Sequence, residues 1–164
     1  MRRCAIVVVA LLAACHGTSP EGRAAQDQHD VAMVRQANKA LPPIQDEVPE
    51  PLTASDLQRY DLLGQSCAYA PGTSLATLVI AREADAFAKI DGTVERFAAD
   101  PGSRTLPQRS HSLYASKSFS LRLELSGQGT PAPNGKSGYE GTIELRDAHG
   151  RVVYQGSGTA NCGP

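Results

Sequence analysis

Apolar and polar residues alternate along two stretches in the second half of the chain. Every second residue is apolar over residues 119–125 (FSLRLEL), and residues 139–145 (YEGTIEL) repeat the pattern with Gly at one apolar position. Successive side chains of a strand point to opposite faces, so this alternation predicts antiparallel strands with one buried face and one wet face. Residues 75–81 (LATLVIA) are apolar almost throughout and predict a strand that is buried on both faces.

Short turn signals separate these and further predicted strands. Asp91-Gly92 lies between residues 86–90 and 93–97 and predicts a two-residue hairpin, and residues 147–150 (DAHG) predict a turn into a strand over 151–155. At least six strands in residues 67–164 predict a mainly β fold, a small antiparallel β-sandwich or barrel. The Gly- and Pro-rich residues 127–137 (GQGTPAPNGKS) predict a mobile loop between two of the strands.

The residues before this β region carry no strand pattern. Residues 15–52 are polar and contain several prolines, which predicts a disordered or partly helical tether, with helical spacing of apolar residues over 24–41. A short helix is signalled more clearly at residues 53–56 (TASD), a capping box with Asp in place of Glu, followed by Leu57, Tyr60 and Leu63 and then Gly64 as a stop. We therefore expect the folded domain to span residues 53–164.

The first fourteen residues are typical of a secretory signal peptide. Two arginines precede residues 5–14 (AIVVVALLAA), which hold no charge and no polar side chain. This run is too short for a transmembrane helix, because crossing a bilayer takes roughly 20 apolar residues. A buried N-terminal helix is the alternative interpretation of the same run.

Cys15 follows this run in the sequence Leu12-Ala13-Ala14-Cys15, which resembles the lipobox of bacterial lipoproteins. The resemblance implies cleavage before Cys15, attachment of diacylglycerol to its thiol and further acylation, with palmitate, of the new N-terminus. Two or three acyl chains anchor a protein stably, so membrane lipid is the first partner that the resemblance implies. His16 stands at the sorting position where Asp commonly retains such proteins at the inner membrane. The implied location is the outer membrane, with the domain at its periplasmic face.

Charge argues against nucleic acid as a partner. Removing Arg2 and Arg3 with the signal peptide leaves 14 basic against 17 acidic residues, a net charge near −3. Residues 96–122, however, contain five basic residues and a single acid, Asp100. The five are Arg96, Arg104, Arg109, Lys117 and Arg122. They form either a patch for an anionic envelope polymer or acidic protein, or a solvated face that balances acids elsewhere, which is the simpler interpretation.

Cysteine usage predicts one disulfide. Cys4 leaves with the signal peptide and lipid blocks Cys15, so Cys67 and Cys162 remain in an oxidising compartment. Their bond would close a loop of 95 residues, worth up to about 4–5 kcal/mol in the chain-entropy model. A zinc site is a poor alternative because no short Cys-x-x-Cys spacing accompanies them. We expect no metal and no cofactor.

Candidate catalytic chemistry is confined to Ser110-His111. His16 and His29 lie in the predicted tether and His149 in a predicted turn, whereas His111 lies near the start of a strand. A Ser next to a His in sequence does not make a hydrogen-bonded pair, and no Gly-x-Ser-x-Gly motif is present. We therefore expect a protein that is not an enzyme and keep a hydrolase that uses His111 as the least favoured function.

Two families of lipoproteins resemble the β region. Residues 96–103 (RFAADPGS), 119–123 (FSLRL) and 146–163 (RDAHGRVVYQGSGTANCG) are similar to an uncharacterised family of small proteobacterial lipoproteins. Ser137-Gly138-Tyr139 resembles a motif of the lipoprotein inhibitors of c-type lysozyme, although Tyr follows Gly directly here and the chain has no Trp for that family's Tyr-Trp element. The first resemblance implies a domain without a known activity, and the second implies inhibition of an enzyme.

The sequence thus predicts a membrane-anchored envelope lipoprotein that binds or scaffolds another envelope component without catalysis. A periplasmic inhibitor similar to the lysozyme inhibitors is the alternative.

Overall fold

The computed structural model describes residues 19–164. The predicted signal peptide, the predicted lipobox with Cys15, and His16 lie outside the described residues. The chain divides into two compact units, with the boundary between Pro43 and Ile44. Within residues 19–164, no helix has both the length and the apolar content that a membrane crossing requires.

The first unit contains helix α1 (Pro20–Lys39). Ser19 caps it by accepting a hydrogen bond from the Gly22 backbone N–H at 3.2 Å, and Pro20 occupies the first turn, where a missing N–H costs nothing. None of the helix residues is buried. The predicted helix over residues 24–41 is therefore present with shifted ends.

The second unit is a closed barrel of eight antiparallel strands in chain order, in which the last strand pairs with the first. The strands are β1 (Ser66–Pro71), β2 (Val79–Ala81), β3 (Asp85–Ile90), β4 (Thr93–Ala99), β5 (Leu113–Ala115), β6 (Phe119–Pro131), β7 (Ser137–Asp147) and β8 (Val152–Gly163). Helix α2 (Ala54–Arg59) precedes them, and single 3-10 turns lie at Pro107–Arg109 and Pro133–Gly135. The mainly β prediction is confirmed, and a barrel is the architecture.

The barrel interior is filled by apolar side chains. The largest fully buried ones are Tyr69, Phe97, Tyr114, Leu121, Leu123, Ile143 and Leu145. Residues 119–125 and 139–145 contribute their predicted apolar positions, so the alternation assigns the inner face correctly in both strands. An eight-stranded barrel is just wide enough for side chains to fill its interior, and these side chains do so.

A second apolar cluster lies on the outer face of the first strands. Leu52, Leu62, Ile80 and Phe87 form its buried part, and Leu57 of α2 packs against them. The capping box of α2 is present, because Thr53 and Asp56 exchange hydrogen bonds between side chains and backbone. The predicted short helix on the domain edge is therefore confirmed.

The chain just before α2 belongs to the barrel unit. Glu47 N–H donates to the Val153 carbonyl at 3.1 Å, Glu50 N–H to Lys89 at 2.8 Å and Leu52 N–H to Thr77 at 2.9 Å. These bonds tie one extended segment to strands on both sides of the barrel seam. The folded unit thus begins at Ile44, earlier than the predicted boundary at residue 53.

Three local predictions are wrong. Only Val79–Ala81 of the predicted strand over residues 75–81 is a strand, and the side chain of Leu75 is 97% exposed in the connection that precedes it. Helix α2 ends at Arg59, before the predicted stop at Gly64, and Asp61, with a φ of +50°, changes the direction of the chain, so that Leu62 is buried and Leu63 is exposed. Residues 127–131 and Ser137 belong to strands and not to a loop, and Thr130 and Pro131 pair with Gly138 and Ser137.

Candidate functional site

The end of the barrel that the β6–β7 connection occupies carries the most distinctive exposed element, a two-stranded ribbon over residues 126–140. Its β6 side chains are exposed from Ser126 through Pro131. Strand β5 pairs with β6 only as far as Arg122, and the last paired backbone contact on that side is Leu123 N–H to Ser112 at 2.9 Å. The β6 half of the ribbon is therefore an edge that pairs with β7 alone.

The ribbon forms despite its Gly and Pro residues because a bulge absorbs the irregularity. The register between β6 and β7 shifts between Ser126 and Thr130, and Gly127 takes a φ of +81°, which favours glycine. The ring of Tyr139 lies against Gly129, where an added Cβ would be only 2.6 Å from the ring. Packing of an aromatic ring over a glycine thus replaces the missing side chain.

A shallow polar groove runs along the outer face of the ribbon. Its side chains offer hydroxyl, amide and carboxylate groups, contributed by Ser126, Gln128, Thr130, Glu140 and Thr159. Such a surface can exchange hydrogen bonds with a polar partner but holds only one charge. Among residues 19–164, no three His, Cys, Asp or Glu side chains are grouped closely enough to hold a metal ion.

Tyr139 has a structural role that bears on the inhibitor-like motif. Ser137-Gly138-Tyr139 begins β7, and the Tyr139 side chain is partly buried against the interior cluster. Its ring is thus used to cover Gly129 within the fold.

Four of the five basic residues of the predicted anionic patch are ion-paired. Arg96 contacts Asp85 at 2.9 Å, Arg109 pairs with Glu83, and Arg104 and Arg122 share Glu124. Lys117 is exposed in the β5–β6 turn. The count along residues 96–122 missed these three acids because all of them lie outside that window. The geometry balances most of the charge, and anion binding stays a prediction.

Ser110 and His111 do not form a nucleophile–base pair. The Ser110 hydroxyl donates to the Pro107 carbonyl at 2.8 Å, whereas the His111 ring meets the edge of Tyr114 with 6.4 Å between centroids. His111 Nδ1 is buried without a hydrogen-bond partner among the described residues. A pair in position for catalysis needs a direct contact of about 2.6–3.2 Å, so the hydrolase interpretation gains no geometric support.

The predicted disulfide is present, and Ser110 lies beside it. Cys67 of β1 and Cys162 of β8 are directly opposite each other in the register, with 4.0 Å between their Cα atoms. Both are buried, and the Ser110 Oγ lies 3.5 Å from Cys67 Sγ. The bond therefore closes the barrel at the seam between its first and last strands.

A buried carboxylate was not foreseen from the sequence. Asp85 is 4% exposed, and its two oxygens accept from Arg82 at 2.8 Å and from Arg96 at 2.9 Å. Arg82 also stacks over Phe87 at 4.9 Å and donates to the Asp61 carbonyl at 2.9 Å. This network holds the α2–β1 connection in place against the barrel wall. No local motif distinguishes Asp85 from the other acids of the chain.

Two interior tyrosines have perturbed hydroxyls. Burial raises the pKa of Tyr114 to about 12, and its hydroxyl donates to the Arg82 carbonyl at 2.9 Å while accepting from the His111 N–H at 2.6 Å. Burial, together with Tyr154, raises the pKa of Tyr69 to about 12. Both groups stay neutral at physiological pH and act as structural members of the core.

Comparisons with protein-family models, with curated proteins and with solved structures find no match to this chain.

Proposed function

We propose that this chain is an envelope lipoprotein, anchored by acylated Cys15 at the periplasmic face of the outer membrane, that binds or scaffolds another envelope component without catalysis. The observation that carries the binding role is the exposed ribbon over residues 126–140 on a barrel whose interior is filled. A filled interior leaves the outer surface for recognition. The ribbon is a part of that surface that combines a strand edge paired on one side only with a polar groove.

The composition of the ribbon supports a polar partner. From Ser126 to Gly135 its residues carry no charge, and Lys136 and Glu140, which follow that stretch, have opposite signs. Recognition at this surface would use hydrogen bonds from backbone, hydroxyl and amide groups and would depend little on salt. A protein segment fits this chemistry better than a strongly anionic polymer does, and the ion-paired arginines point the same way.

Site-specific photo-crosslinking in cells tests the binding role. A photoreactive residue at Gln128 of the ribbon is compared with the same residue at Gln155, an exposed glutamine on the outer face of β8. We expect a discrete crosslinked species at Gln128 that is absent at Gln155. Equal crosslinking at both positions, or none at Gln128, would contradict a ribbon-centred binding function.

The anchor has its own test. Cys15→Ala should abolish acylation and release the protein from the membrane fraction, and unchanged fractionation would count against lipidation. Inhibition of c-type lysozyme by the released protein at micromolar concentration would favour the inhibitor alternative over the scaffold.

A further inference from the structure

One connection of the barrel covers the disulfide directly. We call residues 106–112 the cap; they are the second half of the β4–β5 connection and contain its 3-10 turn. The Pro107 carbonyl oxygen lies 3.3 Å from Cys67 Sγ, and the Ser110 hydroxyl lies 3.5 Å from the same atom. A disulfide sulfur carries no proton, so the Pro107 approach is a packing contact. Cys67 is 0% and Cys162 1% exposed, and the cap accounts for the cover over Cys67.

The cap holds two consecutive residues in an unfavourable backbone conformation. Gln108 has a φ of +58° and Arg109 a φ of +59°, and neither is glycine. A left-handed residue other than glycine raises the free energy of its backbone unless its surroundings hold it in place. The closed cap is thus a conformation that its contacts must maintain.

The ends of the cap are well anchored, because Ser110 and Ser112 are buried and the His111 N–H donates to the Tyr114 hydroxyl at 2.6 Å. The side chains of the two strained residues make their contacts at the surface. Gln65 Nε2 donates to Gln108 Oε1 at 2.8 Å, and Glu83 pairs with Arg109. Inside the cap, the Leu106 N–H donates to the Ser110 carbonyl at 2.7 Å, and Leu106 is buried in the core. Without the two surface contacts, Gln108 and Arg109 are held only by the anchored residues on either side of them, Leu106 and Ser110.

The β1–β8 seam of the barrel does not depend on the cap, although Ser112 at the end of the cap accepts from the Leu123 N–H of β6 at 2.9 Å. Strands β1 and β8 share six register pairs, from Ser66 opposite Gly163 to Pro71 opposite Gly158. Strand β6 is held along its length by β7. Residues 107–109 at the tip of the cap can therefore lift while the barrel seam stays formed, because their contacts and the hydrogen bonds of the seam have no residue pair in common.

From these contacts we infer that the cap is a gate over the Cys67–Cys162 disulfide, through which a dithiol reductant reaches the bond while the barrel stays folded. A thiolate of the reductant attacks Cys67 Sγ, the bond to Cys162 breaks, and Cys162 leaves as a thiolate that takes up a proton. The second thiol of the reductant then displaces Cys67 and the reductant leaves as a cyclic disulfide. Two electrons pass from the dithiol to the two cysteines.

The test measures reduction of the folded full-length chain by dithiothreitol. Alkylation and peptide mass spectrometry follow Cys67 and Cys162, and urea-jump kinetics give the rate of global unfolding. The double variant Gln65→Ala, Glu83→Gln removes both surface contacts and leaves every cap residue in place. Glu144→Gln, which removes an ion pair with Arg146 on β7, is the matched control.

We expect the wild-type disulfide to be reduced faster than the barrel unfolds. The double variant should be reduced about three- to tenfold faster than the wild type at an unchanged unfolding rate, as the loss of one hydrogen bond and one exposed ion pair implies. The control should match the wild type. Reduction that tracks global unfolding in every variant, or a double variant no faster than the wild type, overturns the gate.

Discussion

Strands β6 to β8 and strands β2 and β3 differ in how many of their faces are buried. Strands β6 to β8 bury one face and leave the other in water, so their sequences alternate, as at residues 119–125. In β2 and β3 almost every residue is buried, because residues 52–62 cover the outer face with the cluster around Leu62 and Phe87. The distribution of apolar and polar residues along a strand therefore reports how many of its two faces are covered, even within one barrel.

Removing the disulfide should have the largest effect, since it joins the first and last strands at the β1–β8 seam. The double variant Cys67→Ala, Cys162→Ala releases a loop of 95 residues in the unfolded chain. We expect the free energy of unfolding to fall by up to about 4–5 kcal/mol, measured by urea denaturation. A loss below about 1 kcal/mol would show that the hydrogen bonds of the seam suffice without the bond.

Truncating a residue of the shared interior should come next. Leu123 is 0% exposed and lies within the main core. Leu123→Ala should lower the free energy of unfolding by about 3–4 kcal/mol, because side chains from every direction hold the cavity open. Urea denaturation with an unchanged m-value would confirm it, and a change in m-value would point to a barrel that no longer closes.

The outer cluster should respond less to the same change. Leu62 is 1% exposed, but it belongs to the short stretch over residues 52–62 that covers the outer face of the barrel, and that stretch can settle into the space left by truncation. We expect Leu62→Ala to cost about 2 kcal/mol, at the low end for leucine. Equal losses at Leu62 and Leu123 would mean that the cover is as rigid as the barrel.

Alkaline titration should separate the interior tyrosines from the rest without any mutation. The folded pKa values of Tyr69 and Tyr114, at about 12, lie above the ordinary value of 10. Stability from these groups is therefore fully present below pH 10 and is lost as the pH rises from about 10 toward 12. Absorbance at about 295 nm should show fewer than five tyrosines ionising near pH 10 in the folded protein. Ionisation of all five in one step there would contradict their burial.

Local signals predicted the elements that local physics controls. Asp91 and Gly92 both adopt positive φ, at +47° and +71°, as the hairpin signal implied. The capping box of α2 forms with Asp56 in place of Glu, because a carboxylate one methylene shorter than that of Glu still reaches the Thr53 N–H at 2.9 Å. Both signals depend only on residues within a few positions of each other.

The errors have a common cause in contacts that are distant along the chain. Strand β5 is only three residues long and carries too little pattern to be seen, yet β4 and β6 on either side hold it. Residues 127–131 look like a loop because Gly and Pro are poor strand formers, but pairing with β7 and the ring of Tyr139 compensate. The charge balance of the arginines likewise depends on acids that only folding brings close.

The order of residues was therefore enough to establish a mainly antiparallel β domain, its inner-facing positions and its disulfide. Strand period, turn chemistry and cysteine number carry that information with little help from distant contacts. The closed barrel, the covered outer face, the ribbon and the cap over Cys67 could be seen only in the folded molecule. Each of these depends on contacts between residues that are distant along the chain. Such contacts leave no repeating pattern of apolar and polar residues in the sequence.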